Sequence, residues 1–172
     1  MGSWVTKSRL AAFATAIACG APAHTTPAGM SLADTSAMAP SFEFDSLDAR
    51  KVSSGALLGK PAVIVFVTTY DPISQQQVTY DLGLAAELPE VQFVLVALQD
   101  ASARELVELY RQTMKVPFPV ALGDAATIAG GGTLGDVHQV PTTIVLARDG
   151  HVAWRRPGGV MPTELKRHLK DL

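Results

Sequence analysis

The chain predicts an α/β domain with a central mixed β-sheet flanked by helices, and three observations lead there. Ala62-Val-Ile-Val-Phe-Val67 and Val91-Gln-Phe-Val-Leu-Val-Ala97 are continuous apolar runs rich in β-branched residues, the pattern of strands covered on both faces. Helical signals follow each run, from Asp71 to about Leu88 and from Ser102 to Met114. A β-α-β-α order of this kind implies parallel strands joined by right-handed crossovers. Farther on, Asp149-Gly150 lies between two short strand signals and marks a hairpin,.

Phe42-Glu-Phe44 alternates as a short strand does, and Val52 to Leu58 adds a second short element. Lys60-Pro61 introduces the first buried strand. Asp71 is a favoured helix N-cap and Pro72 suits the first helical position, where its missing N–H is no loss; Pro89 stops that helix. In the second helix Leu106, Leu109, Tyr110 and Met114 are expected close to one buried face. Val116-Pro-Phe-Pro-Val120 reads as extended, because each proline pushes its predecessor out of helical space. Ala125 to Ala129 is at most a short helix, and Gly130-Gly-Gly132 ends it and allows a turn. Thr142 to Ala147 and His151 to Arg155 are the hairpin strands. Thr163 to Leu172 closes the chain as a helix with Leu165, Leu169 and Leu172 at helical spacing.

At 172 residues, with 48% hydrophobic and 17% charged side chains, the chain is long enough for one domain with a sizeable core plus a tail,. Lys7 and Arg9 precede an apolar run from Leu10 to Ile17 and then small residues, the order of a secretory signal peptide,. That run is too short to span a bilayer. Ala16-Ile-Ala-Cys19 resembles the lipobox of bacterial lipoproteins, which implies a lipid anchor at Cys19. Cleavage after Ala18 or after Ala23, releasing a soluble exported protein, is the alternative. From Gly20 to about Ser41 the sequence has no sustained period and reads as a flexible tether. The expected organisation is residues 1–18 signal, 19–41 tether and 42–172 folded domain.

The formal net charge of −2 provides no broad electrostatic footprint for nucleic acid,. Arg155, Arg156, Lys166, Arg167 and Lys170 are read as a solvated surface. With Cys19 as the single cysteine, no disulfide can close within one chain and no cysteine-based metal site can form,. His24, His138, His151 and His168 share no spacing that suggests a metal, and neither metal nor cofactor is expected.

From Phe42 to the C-terminus the chain resembles the thioredoxin-like proteins of the TlpA and ResA group, exported bacterial thiol-disulfide oxidoreductases that are often membrane-tethered. Phe66-Val-Thr-Thr-Tyr-Asp-Pro-Ile-Ser74 overlays that group's Phe-Trp-x-x-Trp-Cys-x-x-Cys loop. Phe118-Pro-Val120 overlays its Phe-Pro-Val strand, and Val140-Pro-Thr-Thr-Ile-Val-Leu-Ala-Arg-Asp-Gly150 its Val-Pro-Thr hairpin. The resemblance implies a thioredoxin-like fold and a cis Val140–Pro141 bond facing the active loop.

The two cysteine positions hold Asp71 and Ser74. Disulfide exchange needs one thiolate to attack and a second thiol to resolve the mixed disulfide, and oxygen does neither. The expectation is therefore a protein without redox activity and without a catalytic residue, binding a protein or peptide client at a groove formed by Tyr70, Asp71, Pro72, Val140, Pro141 and Thr142. Two alternatives stand beside it: a TlpA/ResA-like oxidoreductase role using a partner's cysteines, and a structural spacer or assembly subunit. The expected location is the periplasmic side of a bacterial envelope, lipid-anchored through Cys19, or otherwise soluble in the periplasm or secreted.

Overall fold

The computed structural model describes Gly2 and residues 39–172; the signal and tether expected before residue 39, with Cys19, lie outside the described residues. Seven strands and four α-helices follow one another. They are β1 (Glu43–Ser46), β2 (Val52–Ser53), β3 (Ala62–Val67), α1 (Pro72–Glu87), β4 (Gln92–Ala97), α2 (Arg104–Thr113), β5 (Val120–Leu122), α3 (Ala125–Ile128), β6 (Thr142–Leu146), β7 (Val152–Pro157) and α4 (Pro162–Leu169).

The sheet order is β2-β1-β5-β4-β3-β6-β7. Strands β3, β4 and β5 are parallel, and the remaining pairings are antiparallel. Since β3 to β4 to β5 steps twice in the same direction, two crossovers of one hand put α1 and α2 on the same face of the sheet.

Strand β3 is the axis of the molecule. All six of its residues are buried, because β4 covers one edge, β6 the other, and a layer lies on each face. Val63, Val65 and Val67 enter one cluster with Val78 and Leu84 of α1, Val107 and Tyr110 of α2, and Leu165 and Leu169 of α4. Ala62, Ile64 and Phe66 enter the other, covered by Phe42, Phe44, Val52 and Leu57 from the N-terminal hairpin and by Leu134 and Val137 from the segment after α3. Alternation along a strand is what divides one run between two cores.

Helix α2 corrects one reading of the sequence. Leu106 and Leu109 are 50% and 59% exposed, whereas Val107 and Tyr110 are buried with Met114 packed beside them. Steps of three and four residues align Val107, Tyr110 and Met114 on one face, and the two leucines fall to the side of it. The helix ends in a Schellman arrangement: the Val116 N–H donates to the Arg111 carbonyl at 3.0 Å and the Lys115 N–H to the Gln112 carbonyl at 3.1 Å,. Lys115 occupies the left-handed position with φ of 53°.

The hairpin signal at Asp149-Gly150 is present as a turn, with Gly150 at φ of 87° and its N–H donating to the Ala147 carbonyl at 2.9 Å. Gly130 ends α3 as the sequence implies. Its φ is 93°, and an added Cβ would sit 2.5 Å from Nδ1 of His138.

Candidate functional site: the loop at the end of the central strand

Residues Thr68 to Tyr70 leave the C-terminal end of β3 and turn into α1. Asp71 caps that helix. Its backbone is extended, with φ of −87° and ψ of 121°, and its Oδ2 accepts from the Ser74 N–H at 2.6 Å. Pro72 follows at the first helical position, where no N–H is required. Hydrogen bonding from Ser74, from its side chain foremost and its backbone N–H as well, holds the Asp71 carboxyl below the usual carboxylate range. A capping carboxylate at a helix N-terminus is favoured in its charged form by both the amide and the dipole.

Ser74 is fully buried. Its Oγ accepts from the Thr68 N–H at 3.5 Å, so the hydroxyl that stands at the second cysteine position closes the loop onto the helix. The loop is held from outside as well. Oε1 of Gln99 accepts from the Thr69 N–H at 3.1 Å, and Nε2 of Gln75 donates to the Thr69 carbonyl at 3.1 Å. These two glutamines were not singled out in the sequence, since an amide side chain carries no spacing signal.

The second wall is the segment before β6. Phe66 lies opposite Thr142 in the antiparallel β3–β6 register, which brings Pro141 level with the end of β3, where the Asp71 loop begins. The Val140–Pro141 bond is cis. The Pro141 carbonyl accepts from the Gly158 N–H at 2.7 Å, and Oγ1 of Thr142 donates to the Gln139 carbonyl at 2.6 Å. Pro141 and Thr142 are buried and Val140 is half-buried.

A third segment, unanticipated from the sequence, packs beside the start of α1. An added Cβ on Gly159 would lie 3.5 Å from Ile73, which brings the β7–α4 loop against the first turn of α1. Tyr70 is 74% exposed, Ile73 55% and Met161 57%. The sequence suggested Tyr70 but not Ile73 or Met161. The available signal was the pair Gly158-Gly159, which permits close approach, next to apolar Val160-Met161.

A buried polar chain links α1 to the β7–α4 loop. Oε1 of Gln77 accepts from the Val160 N–H at 2.7 Å, and Nε2 of the same side chain donates to Oδ1 of Asp81 at 3.0 Å. Asp81 is buried, and desolvation pushes its carboxyl up to about 7 against the lowering effect of the Gln77 hydrogen bond. Among the described residues its Oδ2 and the Tyr110 hydroxyl have no hydrogen-bond partner. Burial, with the Asp81 charge contributing, raises the Tyr110 phenol to about 12.

The three described histidines are dispersed, and His24 lies outside the described residues. His138 is exposed and 3.9 Å from Asp136, His151 bonds to Asp149, and His168 stacks on Trp154 with ring centroids 4.2 Å apart. Among the described residues no three His, Cys, Asp or Glu side chains gather as a metal site would require.

The described domain matches known structures. A thiol:disulfide interchange protein of the thioredoxin family from Chlorobium tepidum TLS aligns with a TM-score of 0.66 and 23% identity, over 77% of this chain and 93% of that one. The fold is thioredoxin-like. MTB DsbF, solved in mixed oxidized and reduced forms, aligns with a TM-score of 0.64 and 26% identity, covering 76% of this chain and 93% of its own. A secreted Mycobacterium tuberculosis disulfide oxidoreductase homologous to E. coli DsbE gives 0.61 and 20%, covering 76% and 96%. No protein-family model and no curated protein sequence matches the chain. On the thioredoxin-like frame, the loop that carries Asp71 and Ser74 occupies the start of the helix after the central strand.

Proposed function

We propose that this domain is a thioredoxin-like protein without redox activity that binds an extended segment of a protein or peptide client in the groove between Tyr70, Ile73, Met161 and Val140. The observation that carries the reading is the set of three large exposed apolar side chains on the rim. Tyr70 and Ile73 flank the hydrogen-bonded Asp71 loop, Met161 lies two residues beyond the Gly159 that approaches Ile73, and exposed apolar side chains on a hydrogen-bonded frame are a docking signature,. The redox part rests on chemistry: the two positions that would carry sulfur hold a capping carboxylate and a buried hydroxyl, neither of which supports thiol-disulfide exchange. The similarity to a secreted oxidoreductase and the signal-like N-terminus support placing the protein in the bacterial envelope, tethered through Cys19.

The test has two arms. A photo-crosslinking residue at position 70 is expected to give a discrete client adduct in the intact envelope, and Ile73→Glu with Met161→Glu is expected to abolish it. An adduct indifferent to those changes, or no adduct, overturns the binding reading. The wild-type protein is expected to show no turnover in insulin-disulfide reduction, and turnover above background overturns the redox reading.

A further inference from the structure

The end of the sheet remote from the Asp71 loop holds a cleft of about 630 Å³. It lies where β3 and β4 begin, between the C-terminal end of α1 and the length of α4. Its floor includes Val91 and Leu169, and its rim carries four cationic side chains, Arg148, Lys166, Arg167 and Lys170. One acidic side chain, Glu90, is among the lining residues.

Two of the cations already have partners. Lys166 pairs with Glu87, and the Arg148 guanidinium donates through Nε and Nη2 to the main-chain oxygen of Leu172, the last residue, at 3.2 Å. Arg167 and Lys170 form no ion pair among the described residues, and both are exposed. In a chain whose formal net charge is −2, this is a local excess of positive charge. It sits on an apolar floor in a cleft whose volume is in the range of small-molecule sites. An apolar body alone leaves the cations without a counter-charge, and a bare anion leaves the floor wet. An anion carrying a hydrocarbon body satisfies both.

We propose that this cleft binds a small amphipathic anion, an alkyl or aryl chain bearing one carboxylate or phosphate, with the body on Val91 and Leu169 and the head against Arg167 and Lys170. The site is separate from the groove and stands whether or not the groove binds a peptide.

The experiment titrates the full chain with decanoate, decyl phosphate and neutral decanol below their aggregation concentrations, followed by amide and methyl chemical shifts and by calorimetry. Decanoate or decyl phosphate is expected to bind saturably, with shifts at Val91 and Leu169 and none at Tyr70. Decanol is expected to bind at least tenfold more weakly, and Arg167→Glu with Lys170→Glu is expected to weaken the anions at least tenfold. If that pair disturbs folding, as judged by an altered thermal midpoint, Arg167→Gln with Lys170→Gln is read instead and is expected to give the same direction. Equal binding of decanol and the anions, affinity indifferent to the charge changes, or shifts confined to the groove overturns the proposal. Between the two anions, the tighter one identifies the head group.

Discussion

Asp71 shows how far one side chain can be understood from its type and place. Asp before Pro predicts an N-cap, and the structure provides the 2.6 Å bond from the Ser74 amide that defines one,. Replacing Asp71 by Ala is expected to cost about 1 kcal/mol of stability, and replacement by Asn only a few tenths, in urea-unfolding midpoints. The sign with pH follows from the lowered carboxyl. The contribution is present above the unfolded value of 3.8 and fades as pH falls through the still lower folded value, so Asp71→Ala and the wild type should converge in strong acid. Asp71→Cys with Ser74→Cys is expected to form a disulfide under oxidising conditions, read by thiol titration, because a helix N-terminus favours the thiolate that reacts. Failure to form it would place these two residues wrongly on the thioredoxin-like frame. The roles of Gln75 and Gln99 were not legible in the sequence, because their partners are backbone groups in a turn, set by the tertiary path of the chain and not by any local pattern.

At the scale of the element, the strands were the most legible. A run such as Ala62 to Val67 leaves little choice but a strand buried on both faces. Helix α2 was legible in extent but not in orientation: with Leu106, Val107, Leu109 and Tyr110 all apolar, adjacent helical faces compete. The side chains that pack on the sheet decide the winner. Its C-terminus gives a prediction, since a non-glycine residue in the left-handed region is strained. Lys115→Gly is expected to raise stability by about 0.5–1 kcal/mol in urea unfolding, the relief of that strain outweighing the greater entropy that glycine loses on folding.

Helix α1 carries a buried acid that no periodicity announces. Asp81 has a folded value of about 7 against 3.8 when free, a difference corresponding to on the order of 4 kcal/mol at most. The native state keeps its proton longer than the unfolded chain does. Stability from this group is therefore fullest below pH 4 and is lost as pH rises toward 7. Asp48 and Glu108, both lowered to about 2 by their arginine neighbours, act in the opposite sense in the acid range. The informative quantity is thus the difference between wild type and Asp81→Asn, which should change steeply between pH 4 and 7 and level off above it. A difference that does not vary with pH would show that Asp81 is ionised throughout.

The whole molecule is organised by sharing. Alternate residues of β3 belong to opposite layers, Val63, Val65 and Val67 to the helical one and Ala62, Ile64 and Phe66 to the one capped by the N-terminal hairpin. Neither layer can lose order without exposing half of that strand, so the two cores should unfold together. Phe66 tests this most directly. It is fully buried, and its ring meets Phe44 edge-on with centroids 6.0 Å apart. Phe66→Ala is expected to cost about 3–5 kcal/mol from lost transfer energy and the cavity left behind, a large share of the roughly 5–15 kcal/mol that stabilises an ordinary domain. Trp154 of β7 packs against the helical cluster, on the face away from the substitution. In a Trp4→Phe background its fluorescence should report the same lowered midpoint as far-UV circular dichroism. If Trp154 instead keeps the wild-type midpoint while the circular dichroism shifts, the layers melt separately, and β3 divides the molecule instead of coupling its halves.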